Sequence, residues 1–94
     1  MLKKLDPILH SELRLAIMSL LISLSKADFT YLKEQTNATS GNLSVQITKL
    51  EEAGYITVEK MFKGKMPLTT CSVTKKGIDA FEQYVNDLKE YLNL

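Results

Sequence analysis

Between Ser40 and Gly54 the chain reads SGNLSVQITKLEEAG, and Leu43, Ile47 and Leu50 recur at i, i+4 and i+7, with Ala53 extending the stripe. A helix collects positions so spaced on one face. Asn42, Gln46 and Lys49 repeat the spacing on a different face. The segment is therefore predicted to be an amphipathic helix, apolar inward, with two amides and a lysine outward. Thr39 or Ser40 can cap its start, and Gly54 stands where helices commonly close in a left-handed residue. Tyr55–Ile56–Thr57–Val58 then turns at once to β-forming residues.

Earlier in the chain, Asp6–Pro7 pairs a capping side chain with a proline suited to a first helical position. A short turn at Ile8 to His10 precedes a second start at Ser11, with Glu12 in the favourable first turn. The helix through Leu24 has Leu13, Ile17, Leu20, Leu21 and Leu24 on one side and Leu15, Met18 and Ile22 on another. A helix apolar nearly all round must be covered on both sides. One side is expected to face the core and the other a second subunit. Lys26–Ala27–Asp28 breaks the pattern, and Asp28 can cap a short helix from Phe29 to about Gln35, with Phe29 and Leu32 inward. Thr36–Asn37–Ala38–Thr39 is a polar link into the Ser40 helix. Two helices so joined, the second polar outside, match a helix-turn-helix.

After that helix, Tyr55 to Met61 alternates with period two, Gly64 centres a turn, Pro67 opens the return and Thr69 to Val73 is rich in β-branched residues. The hairpin holds Lys63 and Lys65 at its tip. Thr74 caps a last helix, in which Ile78, Phe81, Val85, Leu88 and Leu92 are spaced three, four, three, four. That is the seam of a helix paired with another helix.

The formal net charge is only +1, so overall basicity identifies no partner. Its distribution does more: Lys60 to Lys76 holds five lysines and no acidic residue. A lysine-rich hairpin beside an amide-bearing helix face is chemistry suited to phosphates and base edges. The 94 residues fit one domain, and Cys71, the only cysteine, excludes an internal disulfide or a cysteine-pair chelate. MLKKLDP is not followed by an apolar run, and Leu13 to Leu24 is too short to cross a bilayer, so a cytoplasmic protein with no membrane partner is expected. No triad, phosphate loop or paired-carboxylate motif is present, so neither a catalytic role nor a cofactor is expected. His10 with Asp79 or Glu82 is the one combination that offers a metal site between subunits, and a structural or solvent-facing histidine is the simpler expectation. Arg14, in a very apolar helix, is expected to pair with an acid near the surface.

Several runs resemble winged-helix transcriptional regulators of the MarR/ArsR-like kind, closest to small stand-alone members without a separate ligand domain. They are His10–Ser11 with Arg14–Leu15–Ala16–Ile17, Asn42–Leu43–Ser44 leading to Leu50–Glu51–Glu52–Ala53–Gly54–Tyr55–Ile56, and Val73–Thr74–Lys75–Lys76–Gly77. The combination of leucine–glutamate–x–alanine–glycine with threonine–x–x–glycine carries the resemblance. It implies a mainly α fold with a small β-hairpin, a winged helix-turn-helix over residues 1–94, with 75–94 as a C-terminal dimerisation helix. It further implies a homodimer on double-stranded DNA, reading a pseudo-palindromic operator, as a repressor. The expected DNA contacts are Ser40, Gly41, Asn42, Ser44, Gln46, Lys49, Lys63 and Lys65. The expected dimer contacts are Leu15, Met18, Ile22, Val85, Leu88 and Leu92. Gln46 stands where such proteins often have histidine, and Lys63 and Lys65 where arginine is frequent. Base preference therefore does not carry over, and lysine is the poorer probe of a narrow minor groove. Cys71 occupies a position commonly aromatic and reads as core filling. Two other readings fit the same pattern: a winged-helix module that binds protein, and a ligand-responsive regulator with a pocket at the dimer seam. The sequence names no small-molecule effector.

Overall fold

A computed structural model describes residues 1–94 as α1 (Glu12–Leu24), β1 (Lys26–Asp28), α2 (Phe29–Thr36), α3 (Ser40–Glu52), β2 (Ile56–Lys63), β3 (Met66–Val73) and α4 (Lys75–Leu92). Each helix begins where a side-chain oxygen accepts a free amide of the first turn. Ser11 accepts from Arg14 N at 3.5 Å, Asp28 from Tyr31 N at 2.8 Å, Thr39 from Asn42 N at 3.1 Å and Thr74 from Gly77 N at 3.0 Å. Upstream, Asp6 Oδ1 accepts from Ile8 N at 2.8 Å and so fixes the Asp6–Pro7 turn.

The core gathers around α1, which supplies Ile17, Met18 and Leu21, and α3, which supplies Leu43, Ile47 and Leu50. Leu32, Ile56, Cys71 and Tyr84 close it from α2, the sheet and α4. Burying each such aliphatic side chain contributes about 1.5–3 kcal/mol relative to exposure. Here the expectation for α1 needs correcting. Met18 is fully buried within its own chain, its Cε lying 3.1 Å from where a Cβ on Gly77 would stand. Leu15 is half-buried against the same core. The second side of α1 is thus covered largely by the sheet and α4, and Met18 has no surface left for a partner. Ile22 stays half-buried and Leu24 exposed.

The sheet has three strands in the order β1-β3-β2, all antiparallel, so the two-stranded hairpin expected from the sequence gains an edge. β1 is only Lys26–Ala27–Asp28, held by Ala27 opposite Cys71. β2 and β3 are joined by the two-residue turn Gly64–Lys65, with Gly64 at φ +66° and Lys65 outside the left-handed region. That is the pattern of a type II′ turn, whose twist suits a hairpin. Pro67 lies inside β3, opposite Phe62, where β1 no longer runs alongside. A proline there costs no ladder bond on the open side.

The junction of α3, β2 and α4 explains why two short motifs occur together. Gly54, at φ +81°, donates to Glu51 O at 2.9 Å, and Tyr55 N donates to Leu50 O at 3.0 Å. This is a Schellman closure, whose left-handed residue is most often glycine. Thr74 then stitches the closure to α4: its hydroxyl donates to Gly54 O at 2.7 Å and its amide to Tyr55 O at 3.0 Å. A Cβ on Gly77 would lie 2.2 Å from Tyr55 O, so only glycine lets α4 pass this close.

Candidate nucleic-acid interface

α3 is divided sharply. Leu43 and Leu50 are fully buried and Ile47 nearly so, whereas Ser40, Gly41, Asn42, Ser44 and Lys49 are exposed. The middle of the exposed face is not the Asn42–Gln46–Lys49 line read from the sequence. It passes through Gly41, Val45, Thr48 and Glu52, all exposed. Val45 is 51% exposed, an apolar side chain left on a polar face and absent from the residues expected there. Its signal was present, since it lies three residues from Asn42 and off the buried stripe. Space around Gly41 is open, with nothing within 4 Å of an added Cβ, and the first-turn amides beside it favour an anion.

Gln46 is half-buried at the border with α1. Arg14 Nη1 donates to Gln46 Oε1, and Gln46 Nε2 donates to Asn42 Oδ1 at 2.9 Å. Arg14 also donates through Nε to Ile8 O at 2.6 Å and through Nη2 to Pro7 O at 3.4 Å. The expected acid partner is therefore replaced by two backbone carbonyls and an amide oxygen. A guanidinium with five donors can satisfy that turn without a counter-charge. The turn itself is tied to the wing's root, because Tyr55 donates its hydroxyl to Asp6 Oδ2. Burial first, then that bond and the Asp6 charge, push the Tyr55 phenol up to about 12.

Beyond α3, the wing carries Lys60, Lys63 and Lys65, all exposed, with none in an ion pair. Phe62, 74% exposed, and Met66 sit at the same tip. Between α3 and the sheet, Ser44, Thr48, Glu51, Lys60 and Thr69 line a shallow cleft.

α4 differs from its expected seam. The residues it buries are Gly77, Tyr84 and Asp87, with Phe81 and Leu88 packed partly against the core. Ile78 is 37% and Leu92 57% exposed, and Val85 is half-buried. The inward face is turned from the predicted line, and Tyr84 and Asp87 were missed. Tyr84 OH lies 3.0 Å from His10 Nδ1, and Asp87 Oδ1 accepts from Gln83 Nε2 at 2.8 Å. His10 thus faces a phenol, and no three possible ligands gather around it or elsewhere. Cys71 is fully buried and unpaired, its thiol raised to about 11 by burial and the Glu51 charge. No helix is long and apolar enough to cross a membrane.

A helix-turn-helix whose second helix bares a polar face beside a basic β-hairpin defines a winged-helix protein. Residues 13–92 match the winged helix DNA-binding domain, and the chain belongs to that family. It is 39% identical over 82 residues to an uncharacterized protein of Methanocaldococcus jannaschii, spanning 86% of this chain and 88% of that one. Its fold is similar to that of a transcriptional regulator homologue from Pyrococcus horikoshii, with TM-score 0.85 and 29% identity over 92% of this chain and 85% of the other. The transcriptional regulator BldR of Sulfolobus solfataricus shares the fold at TM-score 0.73 and 20% identity, over 88% of this chain and 58% of that one. The winged-helix resemblance read from the sequence is thus borne out at the level of the family.

Proposed function

We propose that the protein is a sequence-specific DNA-binding transcriptional regulator that works as a homodimer and represses by occupying promoter DNA. The observation that carries this is the division of α3, whose apolar face is wholly used by its own chain while its polar face is left bare. In this reading the N-terminal end of α3 enters the major groove, where Asn42 meets base edges and Val45 a thymine methyl. Ser40, Gly41, Ser44 and Lys49 hold phosphates, and Lys63 and Lys65 reach the backbone from the wing. Ile78, Val85, Leu92 and the exposed part of Leu15, Ile22 and Leu88 supply the surface between protomers. The two-fold of such a dimer sets half-sites about one helical turn apart.

Selection from a random duplex pool, followed by affinity measurement over a salt series, tests the reading. It predicts a pseudo-palindromic site and a log affinity that falls linearly with log salt. Failure to enrich any sequence, or binding indifferent to salt, contradicts it. The second outcome would favour a protein partner for the same surface.

A further inference from the structure

Arg14, Gln46 and Asn42 form a relay whose direction is fixed chemically. A guanidinium can only donate, so the oxygen of Gln46 must face Arg14. The Gln46 NH2 group is then turned toward Asn42, one helical turn earlier, and must meet an acceptor. It does so at Asn42 Oδ1, 2.9 Å away. Asn42 is left with its NH2 group as the free end, on the exposed first turn of α3. Arg14 is itself anchored on Ile8 O and Pro7 O, so the relay is referred back to the scaffold and not to solvent.

We propose that Gln46, held by Arg14, is a positioning residue that turns the Asn42 amide NH2-outward, so that each half-site is read there through an acceptor-only edge, guanine or thymine. This rests on the DNA-binding reading above. The usual bidentate pairing of asparagine with adenine needs the amide oxygen and nitrogen together. Here the oxygen is already engaged. Guanine offers N7 and O6, and thymine offers O4, with no donor to oppose the NH2 group. Gln46 thus acts on base choice through its neighbour.

Three variants test this. Asn42→Ala identifies which base pair depends on Asn42. Gln46→Glu keeps an acceptor for Arg14 but has no donor for Asn42, so Asn42 turns its NH2 group inward and its oxygen outward. The preference at that base pair should invert, from guanine or thymine to adenine or cytosine, by about fivefold or more in relative affinity. Gln46→Met, with neither donor nor acceptor, should leave the preference within about twofold of none, because Asn42 is then free to turn either way. Side-chain amide exchange by NMR on the free protein gives a reading without DNA. The Gln46 NH2 should be protected and that of Asn42 open in the wild type, and Gln46→Glu should protect that of Asn42. A preference untouched by both Gln46 variants, or an Asn42 NH2 protected in the wild type, overturns the relay alone. Absence of any duplex binding by wild type overturns the DNA-binding reading and the base preference together.

Discussion

α3 and α4 solve opposite problems with similar means. Both begin at a threonine cap, yet α3 buries its apolar stripe completely, whereas α4 leaves Ile78, Tyr91 and Leu92 in solvent. α3 needs no further cover for its apolar stripe, so what remains unmatched on it is polar apart from Val45. On α4 the unmatched residues are apolar, Ile78 in its first turn and Tyr91 and Leu92 in its last. The difference separates two kinds of missing partner: a hydrogen-bonding, charged one for α3 and an apolar one for α4.

The largest effect should come from breaking the joint between the two helices. Gly77→Ala places a methyl group into Tyr55 O, and we expect a loss of about 3 kcal/mol, the upper part of the range for overpacking. A urea unfolding series should show the midpoint falling with an unchanged slope. A midpoint within error of wild type would mean that α4 does not need this close approach. Next, Leu92→Glu tests the apolar side without touching the core, unlike a change at Leu88, which packs partly inside. Each leucine counts twice across a two-fold and contributes about 1.5–3 kcal/mol when buried. Sedimentation should show monomers at micromolar concentration, with operator affinity reduced at least about a hundredfold and the melting temperature nearly unchanged. A wild-type protein that already sediments as a monomer removes the dimer.

The caps, the buried stripe of α3 and the hairpin were legible in the sequence because they depend on residues within a few positions of one another. β1 was not, since Lys26–Ala27–Asp28 has no periodicity and becomes a strand only by pairing with β3 more than forty residues later. The rotation of α4 was hidden for a related reason. Heptad spacing favoured Ile78, Val85 and Leu92, but Gly77 against Tyr55 O sets the inward face and brings in Tyr84. Met18 was assigned to a partner because an all-apolar helix does not reveal which side its own chain covers. At the candidate interface, Asn42 and the lysines could be named from residue type. The Arg14–Gln46 bond could not, because it joins residues 32 positions apart.

Smaller effects sharpen the polar side of the contrast. Replacing Lys63 and Lys65 together with alanine should flatten the slope of log affinity against log salt by about one to two units. An unchanged slope would place the wing outside the interface. Tyr55→Phe removes the bond to Asp6 and should cost about 1 kcal/mol. Because the folded phenol is raised from its ordinary value of 10.0 to about 12, wild-type stability should be intact below pH 10 and decline as pH rises toward 12. The phenylalanine variant should lack that decline in chemical-denaturation curves, and an equal decline in both proteins would contradict the assignment.

The central claim is that the polar face of α3, and not the apolar surface of α4, meets DNA. An amide chemical-shift titration with a selected duplex reads both surfaces at once. The account predicts saturable shifts at Ser40, Gly41, Asn42, Val45 and Lys49 and at the Lys63–Lys65 tip, with Tyr91 and Leu92 unmoved. Shifts centred on Tyr91 and Leu92, with α3 unmoved, would contradict it.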